Sequence, residues 1–163
     1  MSELDVKRRL VAVLRASLEE EVARTTRAAK DAAEGATHED NKPEGDKDMR
    51  STEASYIARG QAQRVSEIAE GLARLDAMPV KAFAPGARIE ASALVDLEHE
   101  GKETTYFLVP VAGGRTIEAA GVRAQTLAVT SPLGRALLGL SEGDDAEVQT
   151  PRGAQEHAIV RVR

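Results

Sequence analysis

Apolar or small side chains recur at Val11, Leu14, Leu18, Val22, Thr25, Ala29 and Ala32, in steps of three and four. That stripe predicts an amphipathic helix from about Ser2 to Ala33. The pattern breaks between Glu39 and Gly45, where Asn41, Pro43 and Gly45 are turn formers. It returns at Ala58, Ala62, Val65, Ile68, Leu72 and Leu75, predicting a second helix from about Ser51 to Met78. Ser51 or Thr52 can cap that helix and Pro79 ends it. Neither stripe is wide enough to stand alone in water. Two such helices joined by one break most simply form an antiparallel, coiled-coil-like hairpin that buries both seams. The seams thin towards the break, where Ala and Thr replace Leu and Val, so that end is expected to be slimmer and less stable.

The period changes after Pro79. Pro85-Gly86 reads as a turn, and Ile89, Ala91, Ala93, Val95 and Leu97 alternate as in a strand over Arg88 to Leu97. His99-Glu100-Gly101-Lys102 reads as a hairpin connection, and Thr104 to Val111 is β-branched and aromatic. Gly113-Gly114 and Gly121 punctuate the following stretch. Ala146 to Thr150 and His157 to Val162 flank Pro151-Arg152-Gly153 as a last hairpin. Between them, Ser131-Pro132-Leu133-Gly134-Arg135-Ala136-Leu137-Leu138-Gly139 reads as a short bounded helix. Ser131 is a good N-cap, Pro132 suits the first helical position, Leu133, Leu137 and Leu138 give an apolar face, and Gly139 can end the helix left-handed. The expectation is an α+β chain with two parts. Residues 1–78 form a helical hairpin with an acidic tip near 36–50, and 79–163 form a small antiparallel sheet domain of about five strands with one short helix.

Composition narrows the function classes. The chain has 163 residues, 42% of them hydrophobic, with two Phe, two Tyr and no Trp, so its core is aliphatic. It has no Cys, which excludes disulfides and thiolate metal sites and agrees with a cytoplasmic setting. No apolar run approaches the roughly 18 residues that span a bilayer, and Met1-Ser2-Glu3-Leu4-Asp5 lacks a signal-peptide pattern. The net charge of −5 argues against a dedicated duplex-DNA binder. Eight acids (Asp31, Glu34, Glu39, Asp40, Glu44, Asp46, Asp48, Glu53) face three bases (Lys42, Lys47, Arg50) between 31 and 53, a local excess equal to the net charge of the whole chain. Such a knot suits a cation, a basic surface or plain solvation. The first helix carries Lys7, Arg8, Arg9, Arg15, Arg24, Arg27 and Lys30, either a solvated face paired with Glu19 to Glu21 and Asp31 or a basic stripe for RNA. His38, His99 and His157 are far apart and lack zinc-ligand spacing. Gly113-Gly114 reads as a turn, since no helix start or Lys-Ser/Thr follows it.

The run Ser131 to Gly139, followed by Gly143-Asp144, resembles the C-terminal domain of the Gre family (GreA/GreB-like) of bacterial transcription elongation and transcript-cleavage factors. Arg50-Ser51-Thr52-Glu53-Ala54-Ser55-Tyr56-Ile57 resembles the start of that family's second coiled-coil helix. A long helical hairpin before a small FKBP-like antiparallel sheet domain is the family's architecture. The resemblance implies that the globular domain docks on RNA polymerase at the secondary channel, with Ser131, Pro132, Leu133, Gly134 and Arg135 in the polymerase-facing region. It implies that the hairpin brings tip carboxylates to an Mg²⁺ shared with the polymerase active site, near the nascent RNA 3′ end, with Arg15, Arg24 and Arg27 as RNA-guiding candidates. The chain is then an accessory factor rather than an enzyme. Two-metal phosphodiester hydrolysis needs hard oxygen ligands, which carboxylates supply.

The sequence departs from the family at one point. Aligning Ala54, Tyr56 and Ile57 puts Met49 and Thr52 where the family has its Asp and Glu, and neither is a carboxylate. Asp48 and Glu53 lie one residue to either side, with Asp46 nearby, and Glu39 to Asp48 reads as a longer, open loop. Either the acidic function has moved to Asp46, Asp48 and Glu53, with Asp48 and Glu53 as metal ligands, or the chain is a non-catalytic channel-binding regulator. A scaffold or chaperone role is the remaining class. Prolyl isomerase chemistry fits poorly, because the sheet domain offers only Phe83, Tyr106 and Phe107 where such a pocket is lined with aromatics.

Overall fold

A computed structural model describes residues 1–39 and 44–163, with the backbone alone at 36–39, 44–48, 50, 51 and 54. The described elements run α1 (Glu3–Glu39), α2 (Glu44–Ala77), β1 (Leu94–His99), β2 (Lys102–Val109), β3 (Thr116–Ala119), β4 (Val122–Ala128), α3 (Pro132–Leu137), β5 (Asp145–Thr150) and β6 (Gly153–Val162). They divide into two compact units. One comprises Met1–Arg15 with Ala73–Arg163, the other Ala16–Leu72.

In the first unit, α1 starts at a reciprocal cap. The Asp5 amide donates to Ser2 Oγ (3.2 Å), while the Ser2 amide and hydroxyl donate to Asp5 Oδ2 (3.1 and 2.6 Å). These Ser2 hydrogen bonds, side chain first and then backbone, hold the Asp5 carboxyl below its usual range. The first turns of α1 bury Lys7, Leu10 and Leu14, and the end of α2 buries Leu75, followed by Met78. Arg15 on α1 forks onto Asp76 of α2 with Nε to Oδ1 and Nη2 to Oδ2, each 3.0 Å.

In the second unit Leu18 and Ile68 are buried, and Arg64 Nη2 meets Glu21 Oε1 at 2.8 Å across the two helices. Along α1 the partner number rises from 15 to 21 while on α2 it falls from 76 to 64, as antiparallel pairing requires. The predicted hairpin is therefore present, with different bounds. Both helices run further towards the break than the stripes indicate, α1 to Glu39 and α2 from Glu44. The expected open loop from Glu39 to Asp48 is thus corrected: 44–48 are helical, and 40–43 lie outside the described residues.

The sheet order is β3-β4-β2-β1-β6-β5, with every pair antiparallel except β2–β4. Two-residue turns with positive φ at both positions close two hairpins, Glu100-Gly101 (51° and 77°) between β1 and β2, and Ala120-Gly121 (52° and 77°) between β3 and β4. The second of these splits the glycine-punctuated stretch into two strands, which gives six described strands where five were expected. The strand expected from Arg88 starts only at Leu94. Buried Ser92 takes φ 74°, its amide donates to the Leu108 carbonyl (2.8 Å), and its hydroxyl accepts from the Lys81 amide (3.0 Å). The chain turns there while the apolar alternation continues through it.

β1 is central and buried on both faces from Leu94 to Leu97. On one face Val95 and Leu97 join Ile89, Leu108, Leu137 and Ile159 in the aliphatic core. On the other, Asp96 accepts from Thr105 Oγ1 (2.6 Å) and pairs with Arg163 Nη2 (3.0 Å). The β1–β6 register slips between Asp96 and Leu97, which leaves Val160 bulged and 41% exposed.

Candidate functional site

The motif at 131–139 is built almost as its residues dictate. Ser131 sits extended (φ −68°, ψ 159°) and its hydroxyl accepts from the Gly134 amide at 3.1 Å while donating to the Ala128 carbonyl at 2.7 Å. Gly134 is obligatory, since a Cβ there would lie 2.1 Å from the Ala128 carbonyl oxygen. Leu138 ends the helix, and Gly139 follows at φ 83° with its amide donating to the Ile89 carbonyl (3.0 Å). Leu137 is fully buried and Leu133 packs beside it, but Leu138, expected on the apolar face, is 41% exposed. Pro132, Arg135, Leu138 and Gly139 are the exposed positions of this segment, while Gly134 is internal and Ser131 and Leu133 are partly covered. The Glu142-Gly143-Asp144 turn closes below it, with Asp144 Oδ2 accepting from the Ser141 amide at 2.8 Å.

The helix pair carries the other candidates. Positions 46, 48 and 53 all lie on α2. At 3.6 residues per turn, positions 48 and 53 are about 140° apart around the axis, whereas 46 and 53 are about two turns apart on one face, roughly 10 Å along it. The side chains of Asp46 and Asp48, like that of His38, lie outside the described residues. Glu53 is exposed, and Met49 is 77% exposed. Helix from 44 onward also sets Glu44 and Asp48 at a four-residue spacing, a pairing hidden when that segment is read as a loop. Among the described residues no three His, Asp or Glu side chains cluster closely enough to hold a metal.

The basic candidates do not form one stripe. Arg15 and Arg24 are nine residues apart on α1, half a turn around the axis, while Arg24 and Arg27 share a face. Arg15 is engaged by Asp76, and Arg24 pairs with Glu20 at 3.0 Å. Arg27 is exposed. Lys7, read as part of a solvated face, is instead fully buried. Its ammonium donates to the Lys81 carbonyl at 2.8 Å and lies 4.3 Å from the Phe83 ring centroid. Burial lowers its pKa from 10.5 to about 8; Glu3 opposes that shift and the Arg163 charge adds to it.

A feature the sequence hides is the contact between His99 and His157, whose rings stack 4.5 Å apart at 25°. Burial, and then the His99 neighbour, lower the His157 pKa.

Comparison with known proteins places this architecture. The family model for the C-terminal part of transcription elongation factor GreA/GreB matches residues 84–163. Transcription elongation factor GreA of Hyphomonas neptunium is 35% identical over 120 residues, which are 69% of this chain and 71% of that one. The GreA of Methylococcus capsulatus is 34% identical over 117 residues, 68% of this chain and 70% of that one. The chain belongs to the GreA/GreB family. Among solved structures, the GreA factor homolog 1 (Gfh1) protein of Thermus thermophilus is 20% identical, covering 91% of this chain and 94% of that one, with a TM-score of 0.39. As a GreA/GreB-type elongation factor the chain has its family signature in the sheet unit, and no described helix is long and apolar enough to cross a membrane.

Proposed function

We propose that this elongation factor binds RNA polymerase at the secondary channel and stimulates cleavage of backtracked transcripts, acting as an accessory factor rather than as an enzyme. The observation that carries the reading is the pair of helices α1 and α2 with an acidic stretch of sequence around the break between them. Its α1 portion from Ala16 to Glu39 is about 36 Å long at ~1.5 Å per residue, a reach suited to a deep channel. The eight acids between 31 and 53 fall in the sequence on either side of the break between α1 and α2. In this reading Asp48 and Glu53, with Asp46 nearby, would help hold a second Mg²⁺ weakly, shared with the polymerase, and that ion would supply the means to orient and deprotonate water. The exposed residues of the 131–138 segment, Pro132 and Arg135 foremost, face the polymerase, and Arg24 and Arg27 attract the extruded RNA 3′ end.

A second reading, a channel-binding regulator without cleavage, is favoured by one observation. Met49 and Thr52 stand three residues apart on α2 where the family resemblance puts its acidic pair. One experiment separates the two. Stalled, backtracked elongation complexes of the cognate polymerase are incubated with the native chain and with Asp46→Asn, Asp48→Asn and Glu53→Gln. RNA shortening that depends on one of these carboxylates is the expected result. Absence of shortening with competition against an active Gre factor supports the second reading, and absence of both overturns polymerase binding.

A further inference from the structure

The sheet brings together two histidines that lie 58 residues apart in sequence. Glu98 pairs with Ala158 in the antiparallel β1–β6 ladder, so His99 and His157 come next to each other on one face. Their rings stack 4.5 Å apart at 25°, so the His157 ring has to turn about its side-chain torsions for both lone pairs to meet one ion. They border a half-open cavity of about 210 Å³ floored by Leu97 and also lined by Lys102, Thr104 and Tyr106. We propose that His99 and His157 form a two-imidazole site for a late first-row divalent cation, of the Zn²⁺, Ni²⁺ or Cu²⁺ class.

The orientation of His99 carries the argument. Its Nδ1 lies 2.9 Å from the Glu156 carbonyl oxygen. A carbonyl only accepts, so Nδ1 holds a proton, and in the neutral ring the lone pair is on Nε2. A ring nitrogen donating to a backbone carbonyl is the arrangement that fixes the tautomer of metal-binding histidines. The free Nε2 is 3.9 Å from Glu100 Oε1, on a side chain 85% exposed and able to swing towards an ion. The contact also disfavours an anion there. Lys102, opposite His99 in the β1–β2 register, is the one adverse charge lining the cavity. It is exposed on a flexible stem. Imidazole selects this class of ion over Mg²⁺, which takes oxygen ligands. A bound ion would tie the central strand to β6, across the register slip at Asp96.

The test uses the full chain with excess Mg²⁺ to occupy hard-ligand sites. Zn²⁺, Ni²⁺ and Cu²⁺ are titrated separately by calorimetry, and the Cu²⁺ complex is examined by EPR. The expected results are one bound ion per chain, Cu²⁺ the tightest, and hyperfine coupling to two imidazole nitrogens. Affinity should fall at least about tenfold in H99Q and in H157Q and rise in K102M. The EPR readout on the unmutated chain is independent of whether the variants fold. Coupling to fewer than two nitrogens, affinity unchanged in the two His variants, or inorganic phosphate binding at this cavity that K102M abolishes would each overturn the proposal.

Discussion

Lys7 should make the stability of this protein depend on alkaline pH in a way that a single substitution removes. Its ammonium is fully buried between the Lys81 carbonyl and the Phe83 ring, and its pKa falls from 10.5 to about 8. Each pH unit between those values is worth ~1.4 kcal/mol, so the charged form costs the folded state about 3 kcal/mol. Between pH 8 and 10.5 the unfolded chain holds this proton and the folded chain does not. Stability from this residue therefore rises with pH across that window, and the full cost is present below pH 8. Lys7→Met keeps an unbranched stem in the same space and removes the titration. It also leaves the Lys81 carbonyl unpaired, at about 1–3 kcal/mol, and loses a cation–π contact of about 0.5–2 kcal/mol. At pH 7 these losses offset the relieved burial of charge, and the two proteins should be of similar stability. At pH 10.5 the native protein should lead by about 3 kcal/mol more than at pH 7. Urea denaturation of both proteins at half-unit steps from pH 7 to 10.5 measures that difference and cancels the other titrating groups. A difference that stays flat within about 1 kcal/mol would refute the reasoning.

Three further substitutions test the sheet unit. Gly134→Ala forces a Cβ to 2.1 Å from a backbone oxygen and should cost about 3 kcal/mol, the upper part of the overpacking range, seen as a lower urea midpoint with an unchanged slope. Ser131→Ala removes the acceptor for the Gly134 amide and should cost ~1 kcal/mol in the same measurement, leaving the rest of the near-native amide spectrum in place. Asp96→Ala strands the Arg163 guanidinium and should cost about 3 kcal/mol, the low end for a buried pair because the Arg163 side chain keeps 17% exposure. Asp96→Leu combined with Arg163→Met should recover most of that loss, whereas equal losses in the single and double variants would show that burial of the pair is not the cause.

What the sequence reveals here follows the range of each interaction. The seams of α1 and α2 and the cap of α3 depend on residues three or four apart, and their spacing exposes them directly. The start of α2 was obscured because Pro43 and Gly45 are local breakers, yet the acidic residue types at 44, 46 and 48 suit the positive end of a helix dipole. Lys7 was hidden by its charge, although it sits one heptad before Leu14, on the seam itself. The kink at Ser92 was hidden because its cause is not local. It is set by hydrogen bonds to Lys81 and Leu108. The His99–His157 contact was invisible for the same reason, since only the β1–β6 register creates it.

The helical register sharpens what the carboxylate variants can say about cleavage. An ion held by two side chains of one helix needs positions three or four apart, because only those neighbour each other on its surface. On α2 the spacing from 48 to 53 is five and from 46 to 53 is seven, while 44 to 48 is four. If cleavage occurs with helical geometry retained at the tip, positions 44 and 48 are the acidic pair at that spacing in the first turns of α2, as Asp31 and Glu34 are on α1. Glu53 then contributes only through a polymerase ligand on the other side of the ion. Loss of cleavage in Asp48→Asn and in Glu44→Gln, with a weaker effect of Glu53→Gln, is the pattern this register predicts. Equal and complete loss in Asp48→Asn and Glu53→Gln, with Glu44→Gln unaffected, would mean that the first turns of α2 rearrange on the polymerase.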